Sequence, residues 1–299
     1  MTQDTVAARG NYLCGESPLW DANAKKFYWC DLSTAKVYTL DKLGRRRTLF
    51  EGKNVGGFAV NRIGGFVCST LQGVWLWEKS SGFRLVADEF GGEKLVCNDA
   101  IADPSGRFLF GSDYYDSYRE YKLGKLFSMD KGGNLAVLDE GIHLSNGIGF
   151  SPDSKTLYYT DTGVRNIYAY DYDAAHGTAS NRRLFVHVPE DQGIPDGLTV
   201  DAEGYVWSAQ WYGSCVVRYD PDGKENFILR TPAKQTTSVM FGGEDLTDLY
   251  VTTASKPAWL PVIPPEYDYE NAGVVGGPVY QYHSGIKGKA EFIADINPF

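Results

Sequence analysis

A chain of 299 residues that is 43% hydrophobic and 14% aromatic can bury a sizeable core, and its formal net charge of −9 argues against nucleic acid, which requires a basic face. Nothing in it reads as a membrane span, and the N-terminus MTQDTVAARG lacks the basic and apolar regions of a secretory signal, so a cytoplasmic protein is expected. Five cysteines, Cys14, Cys30, Cys68, Cys97 and Cys215, form no CxxC pair, and several fall inside apolar segments, where a reduced thiol behaves as a small hydrophobe.

From the N-terminus onward the chain reads as short strands in groups of four. The first group is GESPLWD, KKFYWCD, AKVYTLD and RRRTLFE, and the second runs from GGFAVN through GGFVCST and GVWLWE to FRLVADE. The third, fourth and fifth begin at NDAIAD, NGIGFS and DGLTVD, and the sixth at Thr237 before SVMFG. Aromatic and β-branched residues alternate with polar ones, as in YYTDTGVRNIYAYDYD, and no window carries a 3.6-residue apolar stripe. The punctuation is chemical: in DPSG (103–106), SPDSK (151–155), DAEG (201–204) and DPDG (220–223), Asp caps its own backbone, Pro fixes φ and Gly accepts a positive φ. Four short strands repeated every 40 to 50 residues are the signature of a propeller blade. The expectation is an all-β, six-bladed β-propeller with four antiparallel strands per blade, spanning 1–299 as a single domain. For the outer strand of the last blade there are two candidates, AEFIADI (290–296) and the segment before Cys14.

One slot of this repeat stands out. Glu16, Asn98, Asn146 and Asp196 each lie five residues before the polar residue that ends the first strand of a blade, and Gly56 and Thr237 take the same slot in the other two blades. Equivalent residues of a radial repeat meet at its axis. The gathered groups are two carboxylates and two carboxamides, with no thiolate and no imidazole. Such an oxygen set suits one divalent cation such as Ca²⁺, Mg²⁺ or Mn²⁺, and suits Zn²⁺ or Fe²⁺ less well. Three or four protein ligands leave positions for water and substrate, as a catalytic metal site requires.

Taken singly these residues have ordinary readings: Asn146-Gly147 is a turn dipeptide, Asp196 after Pro195 a loop acid, Glu16 a solvated strand end. Their coincidence in one slot argues otherwise, because crowded axial carboxylates without a counter-charge are unfavourable. Other chemistries lack their parts. No G-x-S-x-G, H-E-x-x-H or Walker A sequence occurs, and His143, His176, His187 and His283 fall in outer strands or connections.

The motifs GESPLW, CNDAIADPSGRF, SNGIGFSPDSKTLYY and IPDGLTVDAEGYVW, with NRRLFV and a late FGG, resemble in order those of the SMP-30/gluconolactonase/luciferin-regenerating-enzyme family of six-bladed propellers. The resemblance implies a single divalent ion held by the Glu of GES, the Asn of SNG and the Asp of PDG, here Glu16, Asn146 and Asp196. It places the Asn of the ND motif, Asn98, beside the metal as a ligand or a substrate-binding residue. It implies hydrolysis of sugar lactones such as aldono-1,4- or 1,5-lactones.

In one respect the chain departs from that pattern. Sugar lactonases of the family commonly carry Arg two residues before the Asn, and this chain has Val96-Cys97-Asn98-Asp99, so a set of hydroxyl-binding donors is missing. Aromatic residues collect in the connections on the same rim: Tyr114, Tyr115, Tyr118, Trp211, Tyr212, Trp259 and Tyr267. Such rings stack on sugars and on apolar ligands alike.

The reading from sequence is therefore a metal-dependent lactonase. Asp196 is the general base for the attacking water, and Asn98 orients the substrate. Asp99, Tyr115, Gln210, Trp211 and Tyr212 contact the substrate, and Arg165 stands further back. Two alternatives stay open: the same metal hydrolase acting on a non-sugar or aromatic lactone, an ester or a phosphotriester, and a non-catalytic propeller whose ion is structural. A small molecule is the expected partner, with no nucleic acid or membrane, and the protein is expected as a monomer or small homo-oligomer.

Overall fold

The computed structural model describes residues 5–41, 43–115, 121–256 and 274–299. Six four-stranded antiparallel sheets form the six blades of a β-propeller. Their innermost strands are Gly15–Asp21, Val55–Val60, Cys97–Ala102, Ser145–Phe150, Ile194–Val200 and Thr236–Gly242, each flanked by the next so that the sixth meets the first. Apart from strands, the described residues contain only two single-turn 3₁₀ segments, Thr162–Val164 and Glu190–Gln192.

The alternation read from sequence becomes packing between blades. Each pair of neighbouring blades shares an apolar cluster. Leu19, Tyr28, Val37 and Phe50 of the first blade meet Phe58, Phe66 and Trp77 of the second, and Tyr12, Phe27 and Trp29 of the first meet Tyr250 and Val279 of the sixth. At about 25 cal/mol per Å² of buried apolar surface, these faces supply the main favourable term in folding.

The ring closes at Thr5–Ala8, which pairs antiparallel with Val279–His283 and becomes the outer strand of the sixth blade. AEFIADI therefore does not fill that place. It crosses the face opposite the axial slot, where Ala294 bridges Asn61 and the Asn61 side chain bonds both the N–H and the C=O of Ile296. Ala294 and Ile296 are fully buried there, so this segment is held by its apolar residues and not by an edge ladder.

Near the axis the strands approach closely. A Cβ at Gly147 would lie 2.4 Å from the Leu198 nitrogen and one at Gly57 2.3 Å from the Ala100 nitrogen, so the position following the slot is glycine in these blades for lack of room. In every blade the pairing of the innermost strand with the second strand shifts register at or directly after the slot. Such bulges re-aim side chains that would otherwise alternate between faces.

Candidate functional site

The six bulges bring the slot residues together. Glu16 (8% exposed), Asn146 (8%) and Asp196 (5%) are buried, and Asn98 and Asp99 are half-buried. Glu16 and Asp196 sit in a desolvated space with Asp99. Burial, and then the charges of Asp196 and Asp99, raise the Glu16 carboxyl well above its ordinary range. Burial and then Asp99 do the same to Asp196. Burial lifts the Asp99 carboxyl to about 7, against a bond from Ser17 that favours the ionised form. Among the described residues, neither lysine nor arginine contributes to any of the three shifts.

Two carboxamides complete the group, and their orientation is fixed by hydrogen bonding. Asn98 Nδ2 donates to Ser145 O (2.8 Å) and to Asn146 Oδ1 (3.1 Å). Asn146 Nδ2 donates to Thr162 Oγ1 (2.8 Å), and that hydroxyl donates to Pro195 O (2.8 Å). Because both ends of this chain are main-chain carbonyls, which only accept, each amide has one possible flip. The Asn146 oxygen is thereby presented beside Asn98, and the Asn98 oxygen lies on the side of Gly56, where a Cβ would approach it to 2.9 Å.

Ser17 joins the first blade to this network. Its φ of 46° is in the left-handed region, its hydroxyl bonds Gly56 O, and the same Oγ stands 3.3 Å from Asp99 Oδ1. Strained non-glycine residues of this kind collect at functional sites. Below them, Ser17 and Asp99 line an axial cavity of about 40 Å³, whose walls are mostly apolar and whose far end is lined by Glu291 and Phe292.

The donor set fits a hard divalent cation. It offers two carboxylates without a counter-charge among the described residues and carboxamide oxygens already turned, all from inner strands. Among the described residues no cluster of three or more His, Cys, Asp or Glu side chains is gathered into a metal cage, so any ion here rests on the mixed carboxylate and carboxamide set.

A family model described as the SMP-30/Gluconolactonase/LRE-like region matches residues 14–255. The chain belongs to this family. The pentonolactonase XacC of Haloferax volcanii is 35% identical to it over 283 residues, covering 94% of each chain. The 6-deoxy-6-sulfogluconolactonase of Pseudomonas putida is 34% identical over 247 residues, 81% of this chain and 84% of that one. Among solved structures, a calcium-binding protein, regucalcin, from Agrobacterium tumefaciens superposes with a TM-score of 0.84 at 26% identity, covering 96% of each chain.

Within the family fold, the other residues singled out from sequence take varied places. Gln210 is fully buried opposite Pro195; its Nε2 donates to Ser208 Oγ (3.0 Å) and its Oε1 has no hydrogen-bond partner among the described residues. Trp211 and Tyr212 lie against each other with ring centroids 4.8 Å apart, and both are buried, with Trp211 Nε1 donating to Gln235 Oε1 (2.9 Å). Arg165 is buried at φ 59°, and its guanidinium donates to Gly193 O. Tyr114–Tyr115 pairs with Tyr121–Lys122 as a small hairpin on the rim, while the side chains of Tyr114 and Tyr115 lie outside the described set. Tyr118, Trp259 and Tyr267 also lie outside the described residues.

Sequence reasoning passed over Ser17, Asp113 and Thr162. Asp113 is buried, accepts from Ser145 N (2.6 Å), and is pushed up to about 8 chiefly by burial. Their only sequence signal is position: Ser17 directly follows a slot residue, and the other two directly follow a second strand.

Proposed function

We propose that the protein is a divalent-metal-dependent hydrolase that opens a sugar lactone to the hydroxy acid. The observation that carries this reading is the axial group itself: Glu16 and Asp196, two buried carboxylates with no cation beside them among the described residues, and the oriented carboxamides of Asn98 and Asn146. The activities in the names of two relatives, a pentonolactonase and a sulfogluconolactonase, support lactone opening, and a calcium-binding structural neighbour supports an ion at the axis.

Glu16, Asn146 and Asp196 would hold the ion, with Asn98 beside it. When bound, a divalent ion supplies Lewis acidity toward a carbonyl oxygen and lowers the pKa of nearby water. Asp196, buried at the axis, accepts the proton of the attacking water. Asn98 holds the lactone at the axis. Asp99 and the Trp211–Tyr212 rim bound the space around it, with Tyr115 and Gln210 as further substrate-binding candidates. The product carboxylic acid releases a proton at neutral pH, which provides the readout.

A second reading keeps the reaction and changes the substrate. It is favoured by Val96, where sugar lactonases of the family commonly carry Arg, and predicts a less hydroxylated lactone or an ester. A pH-indicator assay decides between them, using chelated protein resupplied with Ca²⁺, Mg²⁺, Mn²⁺, Zn²⁺ or Fe²⁺ against sugar and apolar lactones. Turnover of pentono- or hexonolactones supports the first reading and turnover of apolar lactones alone the second. Silence throughout refutes both.

A further inference from the structure

The residue paired with the position just before the slot is Asp31 in the first blade, Thr70 in the second, Ser112 in the third, Asp161 in the fourth, Gln210 in the fifth and Thr253 in the sixth. Where this residue is Asp, it caps its own blade. Asp31 accepts from Leu13 N (3.0 Å) and Cys14 N (3.1 Å), and Asp161 accepts from His143 N (3.1 Å) and Leu144 N (3.0 Å).

The third blade places its carboxylate differently. Ser112 takes the capping place and bonds across to Lys125, accepting from its N–H (3.0 Å). The carboxylate stands one residue later, at Asp113. Successive side chains of an extended chain point to opposite faces, so this shift turns the carboxylate away from its own blade. Asp113 Oδ1 accepts instead from Ser145 N of the fourth blade, next to Asn146. Among the described residues no lysine or arginine pairs with this buried acid, and burying an acid for a single main-chain bond is costly.

That bond holds one face of the Ser145 residue, and its carbonyl orients Asn98, which in turn donates to Asn146. At the far end, Thr162 takes the Asn146 amide nitrogen. If either anchor is lost, a carboxamide is free to turn its N–H₂ toward the axis, and an amide nitrogen does not ligate a cation.

We propose that Asp113 and Thr162 are positioning residues that hold the carboxamides of Asn98 and Asn146 with oxygen toward a bound cation. This role rests on the axial-ion reading above. Neither residue touches the ion; each acts through its neighbour, as groups behind metal ligands commonly do.

The test is calorimetric titration of the chelated full-length protein with Mn²⁺ and Ca²⁺, beside its melting temperature. Asp113→Ala and Thr162→Val are expected to weaken ion binding roughly 10- to 100-fold, and Asp113→Asn, which keeps an acceptor oxygen, to stay close to wild type. The stability control is Asp103→Ala at the opposite face, which loses the Arg107 ion pair and the Tyr172 hydroxyl bond. It should lower the melting temperature and leave ion affinity unchanged. Wild-type affinity in Asp113→Ala and Thr162→Val overturns the proposal while leaving the ion in place. If Asp113→Ala does not fold, wild-type affinity in Thr162→Val alone overturns it. A wild-type protein that takes up neither ion overturns the axial-ion reading and the positioning role with it.

Discussion

Replacing Asp99 by Asn tests whether the axial carboxylates are crowded without a protein counter-charge. In the folded protein Asp99 titrates at about 7 against an ordinary value of 3.8. The folded state therefore holds a proton to higher pH than the unfolded chain does. The associated stability is complete below the unfolded value and is lost as pH rises through the folded one. At ~1.4 kcal/mol per pH unit, with the loss concentrated between pH 5 and 7, chelated wild-type protein should lose about 3 kcal/mol from this group between pH 5 and pH 8. For a chain of this size that corresponds to roughly 5–10 °C in melting temperature. Glu16 and Asp196, also raised by burial, add to the slope with the same sign. Differential scanning calorimetry across that window, in chelator, should show Asp99→Asn with the shallower slope, and saturating Mn²⁺ should flatten the wild-type curve. Parallel curves for wild type and Asp99→Asn would refute the reasoning.

Further outcomes follow from the same structure. Asp196→Asn should lower kcat by roughly 10²–10⁴-fold, the usual worth of a general base, while the protein still melts cooperatively; wild-type turnover would remove Asp196 from the mechanism. Gly147→Ala drives a methyl to within 2.4 Å of the Leu198 nitrogen and should cost about 1–3 kcal/mol in urea unfolding, whereas a neutral result would mean the inner strands separate easily. Deletion of residues 1–8 removes the strand paired with Val279–His283 and should lower the melting temperature markedly; an unchanged value would show that the ring does not depend on this closure.

Much of the fold was legible because a propeller writes itself into sequence as repetition. Blade number, strand order and the axial slot all followed from the spacing of Glu16, Gly56, Asn98, Asn146, Asp196 and Thr237. Closure was not legible, because Thr5–Ala8 and AEFIADI are both short apolar segments. What separates them is tertiary: Ala294 and Ile296 find a buried seat across the far face, and the N-terminal strand finds a free edge. The bulges that turn the slot residues toward the axis were equally hidden, since a register shift depends on the partner strand. The same holds for Asp113. A carboxylate one residue past a strand end looks like any loop acid until the neighbouring blade places Ser145 N before it. Trp211 and Tyr212 show the opposite case, where an aromatic pair expected among the rim connections is buried, ring against ring.

The measurement that bears most directly on the central claim is acid release from an aldonolactone by chelated protein, before and after one equivalent of divalent ion is restored. The account predicts no turnover in chelator, recovery with at least one of Ca²⁺, Mg²⁺, Mn²⁺, Zn²⁺ or Fe²⁺, and no recovery in Glu16→Gln. Turnover that persists undiminished in chelator, or that Glu16→Gln retains, would contradict it.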